Sequence, residues 1–127
     1  VELRFTVWQF VRLMVYLEET NDTSSVQKTA KAALRDAWDD VWQPLDQELT
    51  ELVERDFDAY SNLMMDQDVV IENATPEQIK TAAHALNHVM VEMDQAIAAG
   101  GELEHLQNLK FERRELRQLT RKLDRTA

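Results

Sequence analysis

The chain opens on an apolar stripe. Leu3, Val7, Phe10, Met14 and Leu17 recur at spacings of 4, 3, 4 and 3. That rhythm keeps them on one side of a helix and predicts a first helix from about Leu3 to Glu19. Val1, Leu3, Phe5 and Val7 also alternate, which fits a short initial strand. Trp8, Val11, Leu13, Val15 and Tyr16 extend the apolar surface nearly all round the same helix. A helix apolar on every side has to be covered on every side. One small bundle covers about half of it, so the first helix predicts self-association, with Trp8, Val11, Val15 and Tyr16 as the interface.

A polar break at Asn21 to Ser25 follows, and Ser24 with Gln27 has the spacing of a capping box. The second stripe is Ala30, Leu34, Trp38, Val41, Leu45, Leu49, Leu52, Tyr60 and Leu63. Pro44 falls inside it and would break or kink a helix, because proline lacks an amide proton and clashes with the preceding turn. Leu34, Val41, Leu45, Leu52 and Leu63 nevertheless keep one phase across it. A single helix kinked at Pro44 is therefore expected, in preference to two helices meeting at Gln43 and Pro44.

Asp66 to Thr75 reads as a loop holding the apolar run Val69, Val70 and Ile71. Thr75-Pro76-Glu77-Gln78 is the clearest boundary in the chain: Thr75 caps, Pro76 takes the first helical position, and Gln78 completes the box. The helix it starts carries Ile79, Ala82, Ala83, Leu86, Met90, Met93 and Ile97, and Gly100 and Gly101 end it as a left-handed cap would. A last helix, from about Glu102 to Asp124, has Leu109, Leu116, Leu119 and Leu123 as its seam. The expected fold is all-α: an up-and-down bundle of four or five helices forming a single domain over residues 1–127.

Composition narrows this reading. Two Gly and two Pro in 127 residues leave few tight turns, which argues against a sandwich or barrel. With no cysteine, disulfides, thiolate zinc sites and thiol nucleophiles are excluded for this sequence. The longest apolar run, Val7 to Leu17, is interrupted by Gln9 and Arg12 and is too short to span a bilayer. No basic segment precedes it, so it makes a poor signal peptide, and a cytoplasmic location is expected.

The net charge of −10 is unevenly spread. Asp36 to Glu77 holds thirteen acids and one base, Arg55; Lys110 to Arg125 holds seven bases and three acids. The whole-molecule field repels nucleic acid and anionic membrane. The acidic middle and the basic end are instead expected to attract each other, within or between chains.

Four constellations have the spacing of chemistry. His84, His88 and Glu92 are four apart, so one helix face presents two imidazoles and a carboxylate to a metal. The wheel sets that face opposite Leu86 and Met90, toward solvent or a partner. Glu102-Leu103-Glu104-His105 contains the Glu-x-x-His spacing of di-iron bundles, but the second motif and the further glutamates such a centre needs are missing. His105 shares a face with Leu109 and Leu116 and is expected to be partly buried. Glu48, Glu51 and Glu54 could ligate magnesium for hydrolysis, although a second carboxylate pair on the next helix is lacking. The basic run with Arg113, Arg114, Arg117, Arg121, Lys122 and Arg125 could meet phosphate, and pairing with the acidic second helix is the preferred reading.

Residues Ala83-His84-Ala85-Leu86-Asn87-His88 resemble the phosphorylated helix of histidine phosphotransfer domains, acidic four-helix bundles of about this size. The resemblance covers six residues and implies His84 as a phosphoryl acceptor. Asn87 and His88 stand where that family has lysine and glycine, and an imidazole at position 88 would obstruct a response regulator. The leading expectation is a non-enzymatic, homodimeric interaction or regulatory protein that also binds another protein and needs no cofactor. A metal-binding or metal-dependent hydrolytic bundle is the alternative.

Overall fold

The computed structural model describes residues 1–18 and 24–126. The elements are β1 (Leu3–Thr6), α1 (Val7–Glu18), α2 (Ser25–Arg55), α3 (Phe57–Asp66), β2 (Asp68–Ile71), α4 (Pro76–Ala99) and α5 (Leu103–Thr126). Five helices pack together, so the all-α bundle stands. The expected first-helix end at Glu19 and the polar break at Asn21 to Thr23 lie outside the described residues.

The first correction is at the start of the chain. Residues 3–6 are a strand, paired antiparallel with β2 in the register Leu3 with Ile71 and Phe5 with Val69. The segment read as a loop is thus half of a two-stranded sheet. Leu3, Phe5, Val69 and Ile71 all enter the core, which is why both segments needed apolar alternation. The helix begins only at Val7. Thr6 and Gln9 fix that point: Thr6 Oγ1 accepts the Gln9 amide at 3.1 Å, and Gln9 Oε1 accepts the Thr6 amide at 3.1 Å. This is a reciprocal capping box, each side chain satisfying an amide that the first turn leaves open.

The second correction lies between α2 and α3. The helix runs unbroken through Pro44, as the shared phase implied. Asp40 and Pro44 are both exposed, so the carbonyl that loses its helical donor is on the water side. The break comes instead at Asp56, whose backbone is extended and whose Oδ1 accepts the Ala59 amide at 3.1 Å to start α3. Two expected starts agree with the structure. Ser24 Oγ accepts the Gln27 amide, and Thr75 and Gln78 form the complete box. Gly100 has φ +81° but an extended ψ of −172°, so the end of α4 is not the left-handed cap expected. That backbone region still belongs essentially to glycine.

The core is built from Val7, Phe10, Leu13, Met14 and Leu17 of α1, Leu34, Trp38, Leu45 and Leu49 of α2, and Leu116, Leu119 and Leu123 of α5, with the apolar stripe of α4. Phe5, Phe10, Trp38 and Trp42 form one aromatic cluster, with ring centroids 6.0 to 6.4 Å apart. α4 packs against both α2 and α5. Among the described residues no ion pair joins the basic end to the acidic second helix. Arg113 of α5 pairs with Asp94 of α4 instead. No helix of the described residues is long and apolar enough to cross a membrane.

Lys122 Nζ donates to Gln9 Oε1 at 2.7 Å and so ties α5 to the start of α1. Burial pushes the Lys122 ammonium below its ordinary pKa; Asp68 opposes the shift and Arg125 adds to it. Between that lowered value and the unfolded one, the unfolded chain binds more protons, so this residue's contribution to stability rises with pH. In alkaline denaturant titrations the stability of wild type relative to Lys122→Met is expected to rise with pH across that window. A flat difference would contradict the burial account.

Candidate functional site

The four interface residues expected from the sequence come together. Trp8, Val11, Val15 and Tyr16, with Arg12, are the α1 lining of one surface groove of ≈ 380 Å³. Tyr60 and Met64 of α3 and Glu112 of α5 complete it. The geometry follows from the two sides of α1. Its seam and Leu13 are consumed by the core, and Trp8, Val11 and Tyr16, half-buried against that core, flank the exposed Val15 on the groove side. Val15 is 47% exposed in the isolated chain. Phe57, at 66% exposure, stacks on Tyr60 with centroids 5.8 Å apart and continues the apolar surface along α3. Phe111, immediately before Glu112, is also exposed. It lies three turns before Lys122, which contacts Gln9, so it belongs to the α1 side of α5.

A polar lock spans the groove. Arg12 Nε and Nη2 donate to Glu112 Oε1 and Oε2 at 2.7 and 2.8 Å, a bidentate fork that only arginine can form. The Tyr16 hydroxyl donates to Glu112 Oε1 at 3.1 Å. The Arg12 guanidinium lies 3.6 Å from the Trp8 ring centroid, where the face of the π-system attracts it. The Arg12 and Glu112 side chains are only 11% and 25% exposed, so solvent screens the pair less than an ordinary surface bridge. Arg12 Nη1 is buried without an acceptor among the described residues.

Glu112→Gln keeps the shape but leaves the Arg12 charge poorly compensated. It is expected to cost about 1–3 kcal/mol in denaturant unfolding. Arg12→Met with Glu112→Met removes both charges and should recover most of that loss. Equal losses for the single and double variants would show that the ion pair itself is not what matters.

The other candidates are scattered. His84 is exposed on α4, while His88 and Glu92 are half-buried and 2.8 Å apart between Nε2 and Oε1. Among the described residues no group of three or more His, Asp or Glu side chains is placed to hold a metal ion. That statement covers His84, His88 and Glu92, and also Glu48, Glu51 and Glu54, which are all exposed. His105 is exposed rather than partly buried, because the first turns of α5 run beyond the core that begins at Leu116. Of the three tryptophans, Trp38 is in the core, Trp42 packs against it, and Trp8 faces the groove.

Sequence reasoning missed Tyr60, Met64 and Glu112 as groove residues. Tyr60 keeps the phase of a helical seam in the sequence, and Glu112 carries no local signal, since its partner is 100 residues away. Compared with family models, curated proteins and solved structures, the chain finds no match. The likeness of residues 83–88 to the phosphotransfer helix thus rests on those six residues alone.

Proposed function

We propose that this chain is a non-enzymatic interaction protein that works as a homodimer through the α1 groove. One observation carries the reading: half-buried Trp8, Val11 and Tyr16 and exposed Val15 converge with Tyr60 and Met64 on one groove whose charges are already committed to each other. Aromatic residues, methionine and arginine are the residue types that concentrate binding energy at protein interfaces. The Arg12–Glu112 fork lets the surface be covered without stranding a bare charge.

A second copy suits this surface better than an unrelated apolar segment. The groove lies between the α3 edge, with Phe57 and Tyr60, and the α5 edge, with Phe111. A two-fold axis through the Val15 region lays the α3 edge of one copy on the α5 edge of the other, which gives a closed, self-complementary contact. Light scattering on the purified chain at micromolar concentration is expected to give twice the chain mass. A monomer over the whole accessible concentration range would end this reading. In the dimer, a further protein partner would bind the outer faces that the contact leaves open.

A further inference from the structure

Lys110, Arg114, Arg117, Arg121 and Arg125 recur along α5 at spacings of 4, 3, 4 and 4, which places all five on one helix face. That face is exposed, opposite the buried Leu116, Leu119 and Leu123. Arg114, Arg117 and Arg121 have no ion-pair partner among the described residues. α2 carries the complementary surface. Asp36, Asp40, Glu51 and Glu54 share its outward face, opposite Trp38, Leu45 and Leu49, with Gln43 and Gln47 between them. The only ion pair on that face is the 3.9 Å contact of Glu51 with Arg55, among the described residues. The two charged faces have similar lengths, on the order of 22 and 27 Å at the helical rise per residue.

These faces do not neutralise each other within a chain, because each lies opposite the residues its own helix buries in the shared core. They can do so between chains. We propose a second self-association contact in which the basic face of α5 in one molecule docks on the acidic face of α2 in another. It uses none of the groove residues and so stands or falls independently of the groove dimer. Its two surfaces are different patches of the same molecule, so it is a head-to-tail contact that extends instead of closing. It links groove dimers into larger assemblies. The net charge of −10 opposes it at long range. At physiological salt that repulsion is screened beyond about 8 Å, while the facing charges are in contact. Each exposed pair adds about two- to five-fold to the association constant, so the contact is weak singly and sensitive to salt collectively.

Sedimentation velocity on the full chain at about 0.1 M and about 1 M sodium chloride tests it, since the screening length falls from about 10 to about 3 Å between them. At the lower salt the mean mass is expected to exceed the dimer and grow with protein concentration, and at the higher salt to fall back to the dimer. Arg114→Glu/Arg117→Glu/Arg121→Glu should stay dimeric at both, as should Asp36→Lys/Asp40→Lys/Glu54→Lys. Mixing the two variants should restore the larger species, because each then supplies the charge the other lacks. A wild type of unchanged mass at both salts, or an α5 variant that assembles like wild type, would overturn the proposal. So would a wild type that never exceeds the dimer yet binds single-stranded RNA through α5. Assembly at the lower salt that falls to monomers at the higher supports this contact and counts against the groove dimer alone.

Discussion

Phe10→Ala is expected to cost about 3–5 kcal/mol of folding stability, in the range for a large aromatic removed from a packed core. Phe10 is fully buried, and its ring lies 6.0 Å from Phe5, 6.3 Å from Trp38 and 6.0 Å from Trp42 between centroids. These partners come from two other elements, β1 and α2, so no single side chain can move to fill the space. Domains of this size are stable by only about 5–15 kcal/mol, so the variant should lose a large part of its margin. Phe57→Ala is the control. Phe57 is exposed and, among the described residues, makes its ring contact with Tyr60, so its removal should change monomer stability by less than about 1 kcal/mol. Urea unfolding followed by helical circular dichroism measures both. Similar losses for the two phenylalanines would contradict the assignment of the aromatic cluster as the centre of the core.

Much of this fold was legible in the chain because helix signals are local. The stripe Leu3, Val7, Phe10, Met14 and Leu17 is buried in full, and Thr75 to Gln78 marks the start of α4 within four residues. The sheet was less legible. β1 and β2 are separated by three helices, and nothing within a window of ten residues says that Leu3 will meet Ile71. The capping box Thr6-x-x-Gln9 is a readable signal for the helix start at Val7, but the 4, 3 rhythm runs straight through it and masks it. The break at Asp56 was hidden for the opposite reason. Leu52, Tyr60 and Leu63 keep helical phase across it, and the breaker is an aspartate cap rather than Gly or Pro. The groove was half legible. An all-round apolar helix announces that its outer face needs cover, but its walls on α3 and α5 are set by tertiary packing. The Arg12–Glu112 fork, between residues 100 positions apart, left no trace in local spacing.

The second large effect is expected at Val15. Its side chain is 47% exposed in the isolated chain, so Val15→Glu should fold with unchanged helix content. In the dimer the same carboxylate would sit against apolar partner surface, in a groove where Arg12 is already held by Glu112. Burying it unpaired costs several kcal/mol, which at about 1.4 kcal/mol per decade raises the dimer Kd on the order of 100-fold or more. Trp8→Glu would act in the same direction but would also remove the ring beneath Arg12, so Val15 gives the cleaner readout. Sedimentation equilibrium of wild type and Val15→Glu, at matched micromolar concentrations and about 1 M salt to suppress surface charge contacts, is the most direct test of the groove as the self-association surface. The expected result is dimer mass for wild type and chain mass for the variant, with identical circular dichroism. A folded Val15→Glu that still sediments as a dimer would contradict it.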